Sequence, residues 1–567
     1  MKPRSVFTAA VAAAVLAPFA ACTLAHAQSI EAAEKLISAD RIRDFDKYIS
    51  DDKFEGRYPG SAGGNAAAAF IAAEFAKAGL KPIGDNGTFL QQVNFVSMTV
   101  KPAETSASVM PASGAPLMLK FGDDYTISVE QLHAHETVDA PIVFVGYGAT
   151  APEYQWDDYA GVDVTGKVIL CIVGDPPSND PKFFMGDALT YYGRWMYKFE
   201  HAAKMGAVGA LIIHRTDLAS YGWNVVQNSN TGEKTYLRDD ANPRLKAASW
   251  VQLEVARKIF AMSGLDLDKE FDAAGKRGFK AVELPVHFKA TVSSTVKPFQ
   301  SPNVVGGLPG ENKPQVCAGL DCHSPDQAVL YTAHYDHLGV DPTVPGPDKI
   351  FNGAADNGSG VAMLIELAHA WGDSVKYGLK LPHSVLFSAV TAEEQGLLGS
   401  EYLGQHTPIP SAQIALDINV DMLVPFGVQQ EVNVNGAQRT TFYPQVEATA
   451  KRFGLAIVPD PRPSAGSYYR SDHFSLSRLG IPAFSIDAGT LYEGHDHAWG
   501  IAKEKAFNDH DYHNVTDNFD PTWDFRGDAN IARFGMDLGW QVIHLPHTIE
   551  WLPGDEFEAA RLKSEGR

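Results

Sequence analysis

A chain of 567 residues exceeds one compact domain and leaves room for about three or four. Hydrophobic residues form 45% of it and charged residues 20%, an ordinary globular composition that argues against disorder. The net charge of −21 comes with no basic stripe, which excludes nucleic acid as an expected partner, because phosphate binding requires clustered Lys and Arg.

In chain order, "MKPRSVFTAAVAAAVLAPFAACTLAHAQSI" sets Lys2 and Arg4 before an apolar run and then "AHA" before Gln28. That pattern predicts a signal peptide over residues 1–27, cleaved after Ala27, and a periplasmic or secreted protein. A lipid anchor on Cys22 is the alternative, with Phe19 where such a box usually has an aliphatic residue. No later segment has the roughly 18 to 20 apolar residues of a membrane span. In an oxidising compartment Cys317 and Cys322 are expected to pair, with free thiols as the alternative.

Residues 28–139 open with "EAAEKLISADRIRDFDKYIS" and "GNAAAAFIAAEFAKAGLKP", whose apolar residues recur at helical spacing, around the glycine-rich loop "EGRYPGSAGG". Residues 140–295 carry short β-branched strands, "APIVFVGYGA" and "GKVILCIVGDPP", and the helical "YKFEHAAKMGAVGALIIH", and read as a β-rich insert. Residues 296–567 alternate strand and helix: "AVLYTAHYD", "SGVAMLIELAHAWGD", "HSVLFSAV", "QGLLGSEYLGQH", "IALDINVDML" and "GIPAFSIDAG". The expected class is α/β, a doubly wound mixed sheet, which binds ligands beyond the carboxyl ends of its strands.

Acidic and imidazole residues recur at those ends. "YTAHYDHLG" delivers His334 and Asp336, "FNGAADNGSGVAM" delivers Asp356, "VTAEEQGLLGS" delivers Glu393 and Glu394, "INVDML" delivers Asp421, and "YHNVTDN" delivers His513 and Asp517. Singly, Asp356 reads as a helix cap, Asp421 as a loop residue, His513 as a surface histidine and the glutamate pair as a solvated turn. Together, so many charges at one sheet edge would repel unless cations sat among them. Histidine and carboxylate donors suit zinc, and His334, Asp356, Glu394, Asp421 and His513 suffice for two ions that share one carboxylate. Consecutive residues point in different directions, so Glu393 is left as a general base for the bridging water.

With "NVVGGLPG", "HYDHLG", "NGAADNGSGVA", "TAEEQGLLGS", "NVDM" and "YHNVTDN" in this order, the chain resembles the dinuclear zinc aminopeptidases of the MH clan. That group is related to glutamate carboxypeptidase II and, without metals, to the transferrin receptor ectodomain. The resemblance implies that Asp356 bridges two zinc ions, His334 and Asp421 complete one site, and Glu394 and His513 the other. It places Glu393 on the general base and Tyr512 on a tyrosine that donates to the oxyanion, against plain packing. It further implies that Asp336 orients His334, that Asp517 does the same for His513, and that the Asp356–Asn357 peptide is cis. Residues 140–295 resemble a protease-associated domain inserted into such peptidases. "YYRSDHFSLSRLGIPAFSID" resembles a pocket-lining segment, with Arg470, Asp472 and His473 as substrate contacts or as solvated and capping residues. "LYEGHDHAWG", with His495, Asp496 and His497, reads as a polar loop near the cleft, a further metal site being the alternative.

The expected activity is exported metallo-aminopeptidase action on peptides with a free amino end. Carboxypeptidase or dipeptidase action, a glutaminyl-cyclase-like transferase and a non-catalytic binding protein are the alternatives.

Overall fold

The structure is a computed structural model that describes residues 30–219, 221–311 and 327–567. The leader, Cys22 and the Cys317–Cys322 pair lie outside the described residues. Near the start of the described chain lie the amphipathic α1 (Ala39–Ile49), capped by the Ser38 hydroxyl, and the mostly apolar α2 (Ala62–Lys77), capped by Ser61. Strand β1 (Leu90–Val100) follows.

A second sheet then forms from β2 (Ser106–Pro111), β3 (Tyr125–Ser128), β4 (His135–Phe144), β5 (Val168–Ile172), β6 (Gly209–His214) and β7 (Ala247–Gln252). Strands β4, β5, β6 and β7 run parallel, in registers such as Val143 with Ile169, Leu170 with Leu211, and Leu211 with Ser249. Helix α3 (Trp195–Lys204) packs on one face and α4 (Leu253–Met262) on the other. The 27-residue strand β8 (Val282–Leu308) joins this unit to the rest. Its first half pairs antiparallel with β2 and β4, and its second half with β1, Val296 lying opposite Met98. The second sheet begins at Ser106, ahead of the expected 139/140 boundary, and β8 leaves it between Ser293 and Ser294, two residues before the expected 295/296 boundary.

The main sheet runs from β8 to β9 (Ala328–His334), β10 (Val385–Val390), β11 (Ile414–Asn419), β12 (Glu431–Asn435) and β13 (Ala483–Ala488). β10 pairs antiparallel with β8, parallel pairing links β10, β9, β11 and β13, and antiparallel β12 closes the edge. This is the mixed α/β sheet expected from the alternation of elements; β12, short and polar, is the addition.

Successive side chains of a strand point to opposite faces, and here both faces are buried. In β9, Val329, Tyr331 and Ala333 enter the larger core with α1, α2, α5 (Gly360–Lys376) and α8 (Arg526–Val542), while Ala328 and Leu330 face the core under α6 (Leu398–Gln405). Full burial of one such aliphatic side chain is worth about 1.5–3 kcal/mol. Helix α5, buried almost throughout, packs Trp371 on Trp540 of α8. Gly372 lets it approach the end of α2, since a Cβ there would lie 1.7 Å from the Ala78 carbonyl oxygen. No helix of the described residues is long and apolar enough to cross a membrane.

The tight approach at Gly372 makes Gly372→Ala destabilising by about 1–3 kcal/mol, because a backbone carbonyl cannot rotate away as a side chain can. Chemical denaturation followed by circular dichroism measures it, and an unchanged midpoint would contradict the packing described.

Candidate metal centre

The carboxyl ends of the parallel strands converge on one cleft. His334 is the last residue of β9, Glu393 and Glu394 follow β10, and Asp421 follows β11. Asp356 sits in the irregular turn before α5, so it does not cap that helix, and His513 follows α7 (His497–His510). Three residues here, Ala392, Met422 and His513, adopt left-handed backbone with φ between 54° and 57°. Such conformations are costly for residues with a Cβ and persist where the surroundings enforce them.

Asp356 lies between two imidazoles. Its Oδ1 is 3.4 Å from His334 Nε2 and its Oδ2 is 3.2 Å from His513 Nε2. His334 Nε2 also lies 3.1 Å from Asp421 Oδ1, and His513 Nε2 lies 3.2 Å from Glu394 Oε2. Two sets of donor atoms result, sharing Asp356. In one, atoms of His334, Asp356 and Asp421 lie within 4.8 Å of one another, and in the other those of His337, Asp356 and Glu394 do. All five ligands expected from the sequence thus meet at one place.

His337 is an addition. It is fully buried, its Nδ1 is 2.7 Å from Glu394 Oε1, and its Nε2 has no hydrogen-bond partner. It therefore fixes the Glu394 carboxylate and leaves Oε2 facing His513. The signal was present in "HYDHLG", where a second imidazole stands three residues after the first.

The charges explain what the donor set accommodates. Burial alone would depress His334, but Asp421 and Glu393 outweigh it and raise its pKa well above the usual histidine value. Burial likewise opposes protonation of His513, and Asp356 and Glu394 lift it to about 10. His337 and then His513 hold Glu394 down to about 2 against its own burial and the Asp356 charge. Without another cation, protons on imidazole are what balance these carboxylates. Divalent cations held by the same nitrogen and oxygen atoms would displace those protons, as metal binding to such sites does. The residues present fit that role.

Glu393 stands apart from Glu394. The left-handed Ala392 turns the chain, and the Glu393 N–H donates to Asp336 Oδ1 at 3.1 Å. Its carboxyl is raised well above the usual range by burial and then by Asp421 and Glu394. Half-buried, it lines the same cavity as His334, Asp421, Tyr512 and His513. Tyr512 stacks on the His513 ring at 4.0 Å and is 43% exposed, and burial together with the cleft carboxylates keeps its phenol protonated.

Neighbouring residues hold these groups, in part differently from the expectation. His334 Nδ1 lies 3.2 Å from the backbone carbonyl of Asp336, whose carboxylate is 3.9 Å away and serves the Glu393 amide instead. Asp517 does not bond His513. Its two oxygens accept from the amides of Ala355 and Asp356, at 2.9 and 3.0 Å, so it orients the shared aspartate. Asn357, joined to Asp356 by a cis peptide, donates to the Val420 carbonyl and accepts from the Met422 amide, tying this turn to the Asp421 loop. Arg57, fully buried, donates to the carbonyls of Ile49, Tyr335, Asn352 and Gly353. Gly353 has φ of +56°, and a Cβ there would meet the Asp356 carbonyl oxygen at 2.2 Å and the His337 ring at 2.6 Å.

The remaining candidates separate clearly. Arg470 is exposed at the cavity, whereas His473 is buried in its wall, packed on Tyr468, and pushed down to about 3 by burial. Asp496 caps α7, His495 stacks on Trp499, and His497 bonds Thr490. Among the described residues, the groupings able to hold a metal ion exclude all three.

Comparison with known proteins places this geometry. Residues 303–532 match the model of peptidase family M28. A probable zinc metalloprotease of Pyrenophora tritici-repentis is 36% identical over 99 residues, 18% of this chain and 21% of that protein. A probable glutamate carboxypeptidase of Arthroderma benhamiae is 36% identical over 76 residues, 13% of this chain and 10% of that protein. The chain thus spans about a fifth or less of the length of these curated relatives. Among solved structures, an aminopeptidase from Aneurinibacillus sp. strain AM-1 is similar at 20% identity, covering 90% of this chain and 95% of that one with a TM-score of 0.47. Residues 303–532, which match the model of peptidase family M28, carry every carboxylate and imidazole of the site.

Proposed function

We propose that this protein is an exported aminopeptidase that hydrolyses the first peptide bond of peptides with a free amino end, using two zinc ions. The observation that carries the reading is the pair of imidazole–carboxylate groups that share Asp356, with Glu393 beside them and not engaged by any of them.

His334, Asp356 and Asp421 would hold one ion, and Asp356, Glu394 and His513 the other, with His337 steadying Glu394. Once bound, such ions polarise the scissile carbonyl and lower the pKa of water to about 7. Glu393, half-open to the cavity, takes the proton of the attacking water and returns it to the departing amine. Tyr512 donates its phenol proton toward the oxyanion that forms on the substrate carbonyl.

The cavity, about 1010 Å³, also has Asp460 and Asp487 in its lining, and carboxylates at this end favour a substrate amine over a second carboxylate there. Residues of the inserted unit, among them Trp195 and Tyr221, line the same cavity. The inserted unit, read as a protease-associated domain, would narrow access and favour short chains over folded protein. Export through a cleaved leader agrees with the composition of residues 1–27.

Glu393→Gln is expected to retain its metal and to lose about 100-fold to 10,000-fold in kcat, the usual worth of a general base, read by steady-state kinetics beside metal analysis. A fully active variant removes Glu393 from that role. Elemental analysis of active protein is expected to give two zinc per chain, and activity lost to a chelator is expected to return on adding zinc. Less than one zinc per chain in active protein defeats the two-ion reading. Mass spectrometry of peptides with free or blocked amino ends is expected to show loss of the first residue from the free set alone. Trimming of blocked peptides from the other end reverses the polarity.

A further inference from the structure

Beside the metal centre, strands β12 and β13 turn one polar face to the cleft. Val432 and Val434 of β12 and Phe484 and Ile486 of β13 enter the larger core, and the residues that alternate with them, Asn433, Asn435, Ser485 and Asp487, line the cavity. The antiparallel register sets Asn433 opposite Asp487 and Asn435 opposite Ser485, so the four lie side by side. In the parallel pairing of β11 with β13, Asn419 stands opposite Ser485. Two residues further along each chain Asp487 comes level with Asp421, one strand spacing of about 4.8 Å beyond it.

These groups are only partly satisfied. Asp487 accepts from the Ser485 hydroxyl at 3.3 Å. The charges acting on it are those of Asp421 and Asp460, both negative, and no lysine or arginine among the described residues pairs with it. Burial, and then the Asp421 charge, raise its carboxyl above the usual range. Asn433 is 7% exposed; its Nδ2 donates to the Val458 carbonyl at 3.1 Å, and its Oδ1 has no partner. Asp460 lines the same cavity and accepts from the Arg462 amide at 2.8 Å. A buried oxygen without a donor and a carboxylate beside like charges are both unfavourable until a cationic donor joins them.

We infer that Asp487, with Asn433 and Asp460 beside it, forms a subsite for a positively charged side chain, Lys or Arg, on the first residue of the substrate. Sheet order gives the reason. Strand β13 lies beyond β11, on the side of Asp421 away from Glu393 and Glu394, which follow β10. A peptide whose first carbonyl sits at the metal centre has its α-amine one carbon from that carbonyl, so the group that reaches past Asp421 to Asp487 is a side chain. Ammonium and guanidinium suit the site because each carries several N–H donors, enough to meet a carboxylate and an amide oxygen together. An uncharged first side chain leaves Asp487 without its partner, and an acidic one is repelled. The assignment to the first residue rests on the function proposed above, and the acidic character of the subsite does not.

The test uses peptides with free amino ends that differ only at the first residue: lysine against its neutral twins Nε-acetyl-lysine and norleucine. Zinc-loaded wild-type protein is expected to favour lysine over each twin by about tenfold or more in kcat/KM. In Asp487→Asn that ratio is expected to fall toward one through the lysine peptide alone, and in Asp487→Glu to recover in part. A wild-type ratio near one overturns the subsite. So does a ratio that Asp487→Asn preserves, whether the peptides keep their rates or slow together; slowing together assigns Asp487 to the α-amine. Thermal melting and elemental analysis check folding and zinc content. If Asp487→Asn fails either, Asp460→Asn decides, a lowered ratio supporting the subsite and an unchanged one overturning it. If the wild type removes the first residue from none of the peptides, the peptidase reading fails separately. Calorimetric binding of Nα-acetyl-lysine amide and Nα-acetylnorleucine amide then decides the subsite: a preference for the lysine compound that Asp487→Asn loses supports it, and equal or absent binding overturns it.

Discussion

The site depends on placing one carboxylate, Asp356, between two imidazoles that come from opposite ends of the domain. Its two oxygens face His334 and His513, so any displacement of this side chain disturbs both groups at once. A buried carboxylate is expensive unless paired and hydrogen-bonded, and the turn that carries it provides little regular backbone bonding. The surrounding residues make up the difference. Asp517 holds the turn by its amides, Asn357 binds it to the Asp421 loop, and Arg57 grips the carbonyls leading into it. Arg57 also brings a positive charge near Asp517, Asp46, Asp336 and Asp356, which partly offsets the repulsion of so many acids in one region.

The same constraint explains why the edge that carries these residues is built on a parallel sheet. Strands β9, β10 and β11 run side by side in one direction, so the residues after each emerge together, and no long loop is needed to gather them. Their interior residues are apolar on both faces and leave polar chemistry only to the ends. Strand β8 extends this order outward. By belonging to both sheets, it sets the inserted unit against the main one through backbone hydrogen bonds, and the Arg478–Glu200 pair adds a side-chain link near the cleft. Residues of the insert can then line the cavity at defined positions.

Much of this was legible in the chain because it depends on local pattern. The apolar runs that became β9, β10 and β11 carry the clustered acids and His334 at or just beyond the carboxyl end, and strand period and length sufficed to place them. What escaped was decided by distant partners. Arg57 lies in a glycine-rich stretch that reads only as a loop, and its targets at Tyr335, Asn352 and Gly353 are about 280 to 300 residues away. Asp517 was expected to serve the nearby His513, but the fold brings the Ala355 and Asp356 amides closer to it. Strand β8 changes sheets at Ser293–Ser294 without a break in the backbone, so the expected boundary at 295/296 falls inside one continuous strand.

The two adjacent glutamates show how little backbone it takes to divide chemical roles. In a regular strand, Glu393 and Glu394 would face opposite sides of the sheet, one of them toward the apolar core. The left-handed turn at Ala392 removes both from the strand before that happens. Glu394 then enters a closed set, with His337 on one oxygen and His513 on the other, and its negative charge is stabilised. Glu393 receives no imidazole of its own, faces Asp421 and Glu394, and has its charge destabilised. Two identical side chains one residue apart are driven in opposite directions by their neighbours. One is thereby suited to holding a cation and the other to passing a proton.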